Sequence, residues 1–322
     1  ALVLPNDKTD RLENLGIRVF RGDVTDIKSM THFFNVNQLD HTILIHCAGI
    51  VSITNKNLTK LYEVNVEGSK NIVVLSQKYG IKRVVYVSSV HAIGEDNNVN
   101  LITEPRTIDE EKVVGDYAKT KALTTAYMKQ QVESGTDIII IYPSGIVGPG
   151  DYGQGHLTMM IEDYLNGQLT SRVKGAYDFV DARDVARGII IAALKAEKGE
   201  DFILSGHRVD LADLFNILRK IAGKKSVIHV LPTWFARFSA PLAECYYKLR
   251  KRPPIYSVYS LYTISSNANF SKQKAEQKLG YVTTPFEETL TATVAWLVEQ
   301  GRIRNKRVIT KFSKSSLNRN ES

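Results

Sequence analysis

From its first residues to about Gly206, the chain alternates apolar runs of strand length with longer segments of helical periodicity. The runs lie at residues 18–20, 42–47, 83–88, 137–142 and 202–205; the helical segments lie at 27–34, 58–79, 116–133, 157–165 and 182–195. Apolar runs without polar alternation read as strands buried on both faces, and parallel strands need crossover helices between them. The right-handed crossover rule then predicts an α/β fold built on a doubly wound parallel sheet. Ligands bind such sheets at the carboxyl ends of the strands, so the residues just after each strand are where chemistry is expected.

Beyond Gly206 the pattern changes. Residues 211–222 read as an amphipathic helix stopped by Gly223, residues 271–279 and 286–300 as further helices, and 234–249 as an aromatic, apolar stretch ended by the basic, Pro-containing 250–254. Three regions are expected: 1–150 as a dinucleotide-binding domain, 151–300 as a smaller mixed region that returns elements to the sheet and binds substrate, and 301–322 as a disordered tail. The tail holds seven Lys or Arg and one acid, a net +6 of the chain's +8. The charge is therefore local, and no nucleic-acid partner is expected. No run of about 18 apolar residues suggests a membrane span. The two cysteines, Cys47 and Cys245, form neither a disulfide framework nor a metal pair, which fits a reducing, cytoplasmic setting. His41, His46, His156, His207 and His229 show no metal-ligand spacing, so no metal is expected.

Tyr117 and Lys121 stand four residues apart on the helix expected over 116–133, and so share a face. An ammonium beside a phenol favours the phenolate and lowers the Tyr pKa from about 10, which suits a general acid or base. That spacing alone is common. Its context is not: one unit earlier, Arg83-Val84-Val85-Tyr86-Val87-Ser88-Ser89 is a strand ending in two hydroxyls. A hydroxyl at a strand tip can bond the same substrate oxygen that Tyr117 protonates. Ser88 reads as structural and Ser89 as catalytic.

With these residues in place, the chain resembles the extended short-chain dehydrogenase/reductase family, within the NAD-dependent epimerase/dehydratase superfamily, from Gly22 to about Gln300. Gly22-Asp23-Val24-Thr25-Asp26 resembles the family's segment after its third strand, and His46-Cys47-Ala48-Gly49 the cofactor-lining stretch after the fourth. Asn65-Val66-Glu67-Gly68-Ser69 resembles the family's N-V-x-G-T. Val87-Ser88-Ser89 through Gly94 resembles its serine motif, Tyr142 through Pro149 the segment flanking nicotinamide and substrate, and Phe179 through Ala186 its later F-V-D-x-R-D-V-A. The resemblance implies a Rossmann-type fold, NAD or NADP as cofactor, and hydride transfer. It implies catalytic roles for Ser89, Tyr117, Lys121 and Asn65, with Asn65 supporting a water relay to Lys121. It implies cofactor contacts from Asp23, Val24, Cys47, Ala48, Gly49, Tyr117, Lys121, Pro143, Ser144 and Ile146. A homodimer packed through the Tyr117 helix is also implied.

A literal GxGxxG occurs at Gly148, Gly150 and Gly153, after a strand and before a helix. It is rejected as the dinucleotide fingerprint because Arg172 and Val173, not an acid, stand about twenty residues on. The fingerprint is expected ahead of the chain's first residues, after a strand preceding Ala1-Leu2-Val3-Leu4, and a chain lacking it is expected to bind cofactor poorly. Leu4, Asp7 and Lys8 do not separate NAD from NADP.

Three functions compete: a hydroxyl/carbonyl oxidoreductase like dihydroflavonol reductases and 3β-hydroxysteroid dehydrogenases, a nucleotide-sugar epimerase or dehydratase, and a catalytically idle cofactor-binding protein. Related dehydratases carry Asp-Glu where Val90-His91 stand. Nucleotide-sugar enzymes often carry Gln-x-Arg, where this chain has Lys174-Gly175-Ala176-Tyr177-Asp178. Leu231, Trp234, Phe235, Phe238, Tyr246 and Tyr247 suit a small hydrophobic substrate, though they also read as core. His91 reads as a loop histidine that could line the pocket. The oxidoreductase is the expectation.

Overall fold

The computed structural model describes residues 1–35, 41–52, 58–94, 100–153, 155–223, 229–236, 238 and 258–317. Eleven strands are described: β1 (Leu2–Val3), β2 (Phe20–Arg21), β3 (Ile43–His46), β4 (Arg83–Val87), β5 (Ile138–Pro143), β6 (Gly145–Val147), β7 (Ser171–Arg172), β8 (Ala176–Asp181), β9 (Asp201–Leu204), β10 (His207–Asp210) and β11 (His229–Val230). The helices are α1 (Asp10–Asn14), α2 (Thr31–Phe34), α3 (Leu58–Tyr62), α4 (Ser69–Tyr79), α5 (Asp116–Glu133), α6 (His156–Asn166), α7 (Ala182–Lys195), α8 (Leu211–Ala222), α9 (Val258–Ser265), α10 (Gln273–Leu279), α11 (Phe286–Glu299) and α12 (Lys306–Leu317). Among the described residues, none of these helices is long and apolar enough to cross a membrane.

The main sheet has the order β3-β4-β5-β9 with every pair parallel, as the apolar runs predict. Strand periodicity explains its two-sided burial. Val84, Tyr86, Ile138, Ile140, Tyr142 and Ile203 pack with Ile72 and Val73 of α4 and Met128 of α5 on one face. Their sequence neighbours Val85, Ile139, Ile141, Phe202 and Leu204 pack with Val185, Ile189 and Ala192 of α7 and Leu279 of α10 on the other. Alternate side chains of each strand thus enter different apolar layers. This is a Rossmann-type α/β fold. β1 and β2 form a separate parallel pair.

A second sheet, absent from the sequence reading, has the order β10-β8-β6, antiparallel between β10 and β8 and parallel between β8 and β6. It packs over the cluster formed by Ile161, Leu214, Phe215, Leu218, Leu290, Val294 and Leu297. β8 was hidden because its polar residues, Asp178 and Asp181, are buried on hydrogen bonds: Asp178 Oδ1 accepts from Gly206 N–H at 2.8 Å, and Asp181 caps α7. Asp181 Oδ1 accepts from the Arg183 backbone at 2.8 Å and from Arg183 Nε at 2.9 Å, while Oδ2 accepts from Thr289 at 2.8 Å.

Burial pushes the Asp181 carboxyl up, but the bonds from Arg183 and Thr289 outweigh it and hold the group below its ordinary value. A carboxylate depressed in the folded state stabilises fully above its unfolded pKa of about 4, and that stability is lost as pH falls through the folded value. In urea titrations across a pH series, the advantage of wild type over Asp181→Asn is therefore constant at neutral pH and shrinks below about pH 4. A gap that widened with acid would contradict this linkage.

The basic tail differs from its expectation of disorder: Lys306–Leu317 is helical. Ile303 and Val308 are buried in the core cluster, and Ile309 and Phe312 pack against it. Those apolar residues fall at helical spacing among the cations, and averaging over composition conceals them.

Candidate active site

The site is built where β3, β4 and β5 end. After β4, Ser88 turns inward: its N–H donates to Ile141 O at 2.7 Å and its hydroxyl pairs with Thr125 Oγ1 at 2.7 Å, a structural role. Ser89 is extended, at φ −163° and ψ 152°, and caps the short 3₁₀ turn Val90–Ala92, its Oγ accepting from His91 N–H at 3.2 Å.

α5 starts after Gly115, whose φ of +96° is accessible to glycine at little cost. One turn separates Tyr117 from Lys121, and both are buried. The Tyr117 phenol interacts with the Ser89 hydroxyl; burial pushes it up to about 12, and Ser89 offsets only part of that rise. Burial likewise pushes the Lys121 ammonium down to about 8, with Cys47 opposing. Lys121 Nζ donates to Val87 O, the last carbonyl of β4, at 2.8 Å, and lies 5.0 Å from the Tyr86 ring centroid. The helix spacing suggested an ammonium that lowers the Tyr117 pKa. Instead the ammonium is engaged by a strand-end carbonyl, and desolvation sets the phenol.

Asn65 lies in a π-helical turn, Glu63–Gly68, between α3 and α4. Such turns widen the helix and recur at functional sites. Its side-chain amide makes three of the four hydrogen bonds open to it. Oδ1 accepts from Ile50 N–H at 2.7 Å, while Nδ2 donates to Ile50 O at 3.0 Å and Thr120 Oγ1 at 3.1 Å. Asn65 thus clamps the loop after β3 to α5. Nearby, His46 Nε2 meets Ser69 Oγ at 2.8 Å; burial first, and the Lys121 charge second, push its imidazole down to about 3.

The cofactor-side residues divide by location. Cys47, Ala48 and Gly49 are exposed at the end of β3. A Cβ on Gly49 would lie 3.2 Å from Asn65 Oδ1 and 3.6 Å from Lys121 Nζ, so glycine keeps that floor open. Pro143 ends β5, Ser144 follows it and Ile146 lies in β6: Pro143 is buried, Ser144 is buried with its hydroxyl beside the Asp178 carboxyl but without a close hydrogen bond, and Ile146 is exposed. Asp23 and Val24 follow β2. The Asp23 carboxylate accepts from Thr25 N–H at 2.9 Å and Thr25 Oγ1 at 2.8 Å. Val24 packs on Gly68 of the π turn, where a Cβ would come within 2.6 Å of it.

Sequence reasoning missed an aromatic wall beside Tyr117. His91 stacks on Tyr177 at 5.9 Å between centroids and 19° between planes, and its ring lies 6.1 Å from Tyr117 and 5.8 Å from Tyr259. Two glycines seat these rings. A Cβ on Gly145 would come within 2.6 Å of the Tyr177 ring, and one on Gly115 within 2.4 Å of Tyr259. A glycine inside a strand marks a close approach, and Gly145 was the available signal. Tyr246 and Tyr247 lie outside the described residues. Among the described residues, no group of three or more His, Cys, Asp or Glu could hold a metal ion.

A model of the NAD dependent epimerase/dehydratase family matches residues 3–205. The chain is 27% identical over 297 residues to sterol demethylase protein B of Methylococcus capsulatus, covering 91% of this chain and 88% of that protein. It is 26% identical over 306 residues to the decarboxylating sterol-4-alpha-carboxylate 3-dehydrogenase of Saccharomyces cerevisiae, covering 88% and 84%. The solved structure of gox2253 superposes with a TM-score of 0.80 at 26% identity, over 94% of this chain and 91% of that one. UDP-glucose 4-epimerase of Thermotoga maritima shares the fold, with a TM-score of 0.73 at 21% identity over 93% and 91%. Fold-sharing structures hold NAD or NADPH. The chain belongs to the NAD dependent epimerase/dehydratase family, of the extended short-chain dehydrogenase/reductase type.

Proposed function

We propose that this chain is an oxidoreductase that moves a hydride between NAD or NADP and a hydroxyl or carbonyl group of a small hydrophobic substrate. The observation that carries the reading is the burial together of Ser89 at the end of β4 and of Tyr117 and Lys121 one helical turn apart on α5. Similarity to a sterol dehydrogenase supports the hydrophobic substrate class, as does the ring-lined wall beside Tyr117.

The open floor at Gly49, the exposed loop Cys47–Gly49 and the nearby ammonium fit a nicotinamide ribose. Lys121 would hold that ribose, Pro143, Ser144 and Ile146 would flank the nicotinamide, and Asp23 and Val24 would meet the adenine end. When bound, the cofactor supplies or accepts the hydride. The remaining work belongs to the chain. With its phenol raised to about 12, Tyr117 is protonated at neutral pH and holds the proton that a reduced carbonyl oxygen needs. Ser89 orients that oxygen. Asn65, its amide bonded to Ile50 and Thr120, acts here as a positioning residue for the cofactor loop. A homodimer through α5 and a cytoplasmic setting belong to the same reading.

A screen on the full-length protein tests it, following nicotinamide absorbance with NADH and NADPH in parallel over ring ketones, 1-tetralone among them, and UDP-glucose. Oxidation of reduced cofactor by a ring ketone is the expected result. Conversion of UDP-glucose without net redox change would replace this reading with the epimerase.

A further inference from the structure

We propose that Tyr177 and His91 form a positioning pair that orients the Ser89 hydroxyl, an inference that rests on the catalytic role assigned to Ser89. The connection is continuous. Tyr177, on β8 of the second sheet, bonds its hydroxyl to His91 Nε2 at 2.7 Å across 86 residues of sequence. The same His91 donates its backbone N–H to Ser89 Oγ at 3.2 Å. A serine hydroxyl has two acceptor lone pairs and one proton. With one lone pair filled by His91, the proton is left to point toward the phenol and the reacting oxygen rather than back into the 3₁₀ turn.

Three features hold the pair in one arrangement. The rings are stacked, with 19° between their planes. The Tyr177 ring sits against Gly145, where any β-carbon would collide with it at 2.6 Å. Tyr259 of α9 packs beside His91, 5.8 Å between centroids. Burial pushes the His91 imidazole down to about 4, so it stays neutral at working pH and keeps one ring nitrogen as acceptor and one as donor. His91 therefore contributes no charge to the reaction; its contribution is geometric. A small displacement at a reacting centre can cost about 100-fold in rate, which gives the second sheet leverage over a site built on the first.

The test uses the full chain and has two arms. In the first, hydrogen exchange at the His91 backbone amide is followed by NMR in wild type and Tyr177→Phe, which keeps the ring and removes only the hydroxyl. The pair predicts faster exchange at His91 with the amides of β4 unchanged; an unaltered His91 amide overturns it. The second arm measures turnover of 1-tetralone. Tyr177→Phe and His91→Phe should each lower kcat by about 10- to 100-fold, with cofactor KM unchanged and the double variant no worse than either single one. His91→Gln, which retains a hydrogen-bonding group, should recover part of the loss. Additive losses, or an effect on cofactor KM alone, overturn the pair. Gly145→Ala, which displaces the Tyr177 ring, should reproduce the Tyr177→Phe kinetics, and wild-type kinetics there also count against the pair. A wild type inert toward every ring ketone contradicts the proposed function, and the exchange arm then decides the pair alone.

Discussion

Tyr117→Phe is expected to lower kcat by about 100- to 10,000-fold, the range that a general acid or base contributes. The substitution removes one oxygen and keeps the ring that packs beside His91. It also removes the partner of the buried Ser89 hydroxyl, so folding stability should fall by no more than about 1–3 kcal/mol. Turnover and unfolding midpoint, measured on the same preparation, separate the two effects. Near-normal turnover would remove Tyr117 from the chemistry. A collapse of stability would mean that the lost activity reports folding instead.

The second large effect is on Asn65→Ala. Three hydrogen bonds end on that amide, and all its partners are at the junction of the β3 loop with α5. Truncation leaves the Ile50 N–H and C=O and the Thr120 hydroxyl without this partner. A buried polar group left unsatisfied costs about 1–3 kcal/mol; Ile50 is only partly buried and the Thr120 hydroxyl keeps its bond to Tyr117 O, so a total of about 1–3 kcal/mol is expected. Cofactor affinity should fall with it, because the loop that Asn65 clamps carries Gly49 beside Lys121. Urea unfolding and NADH titration check the two halves. Intact stability with a lost pH response of turnover would instead favour a proton-relay role for Asn65.

The parts of this protein legible in its sequence are those fixed by local chemistry. Helix α5 runs Asp116–Glu133 and α7 runs Ala182–Lys195, the bounds their patterns predict. Helix α8 ends at Gly223, which is left-handed at φ +62°. Strands β4, β5 and β9 of the main sheet announce themselves because burial on both faces leaves them almost wholly apolar. The second sheet does not, because β8 pays for two buried carboxylates with long-range hydrogen bonds that no local window contains. The π turn is equally hidden: residues 58–79 carry one helical pattern, and the widening at Glu63–Gly68 depends on what Asn65 and Ser69 meet across the fold.

The candidate site divides in the same way. Ser89, Tyr117 and Lys121 can be proposed from position on a strand tip and a helix face. What surrounds them cannot. The link from Tyr177 to His91 spans distant segments, and the bond from Lys121 to Val87 redirects an ammonium that spacing alone would aim at the phenol. Desolvation, a property of the packed molecule, then raises the Tyr117 pKa where a pairwise argument lowers it.

Hydride transfer itself is best tested by label. The full-length protein would be given 1-tetralone and reduced cofactor carrying deuterium at the transferable position of the nicotinamide. The proposed function predicts an alcohol with one deuterium at the carbinol carbon, formed in step with cofactor oxidation. Conversion of UDP-glucose to its epimer with no net cofactor oxidation, and no label reaching any ring ketone, would contradict it.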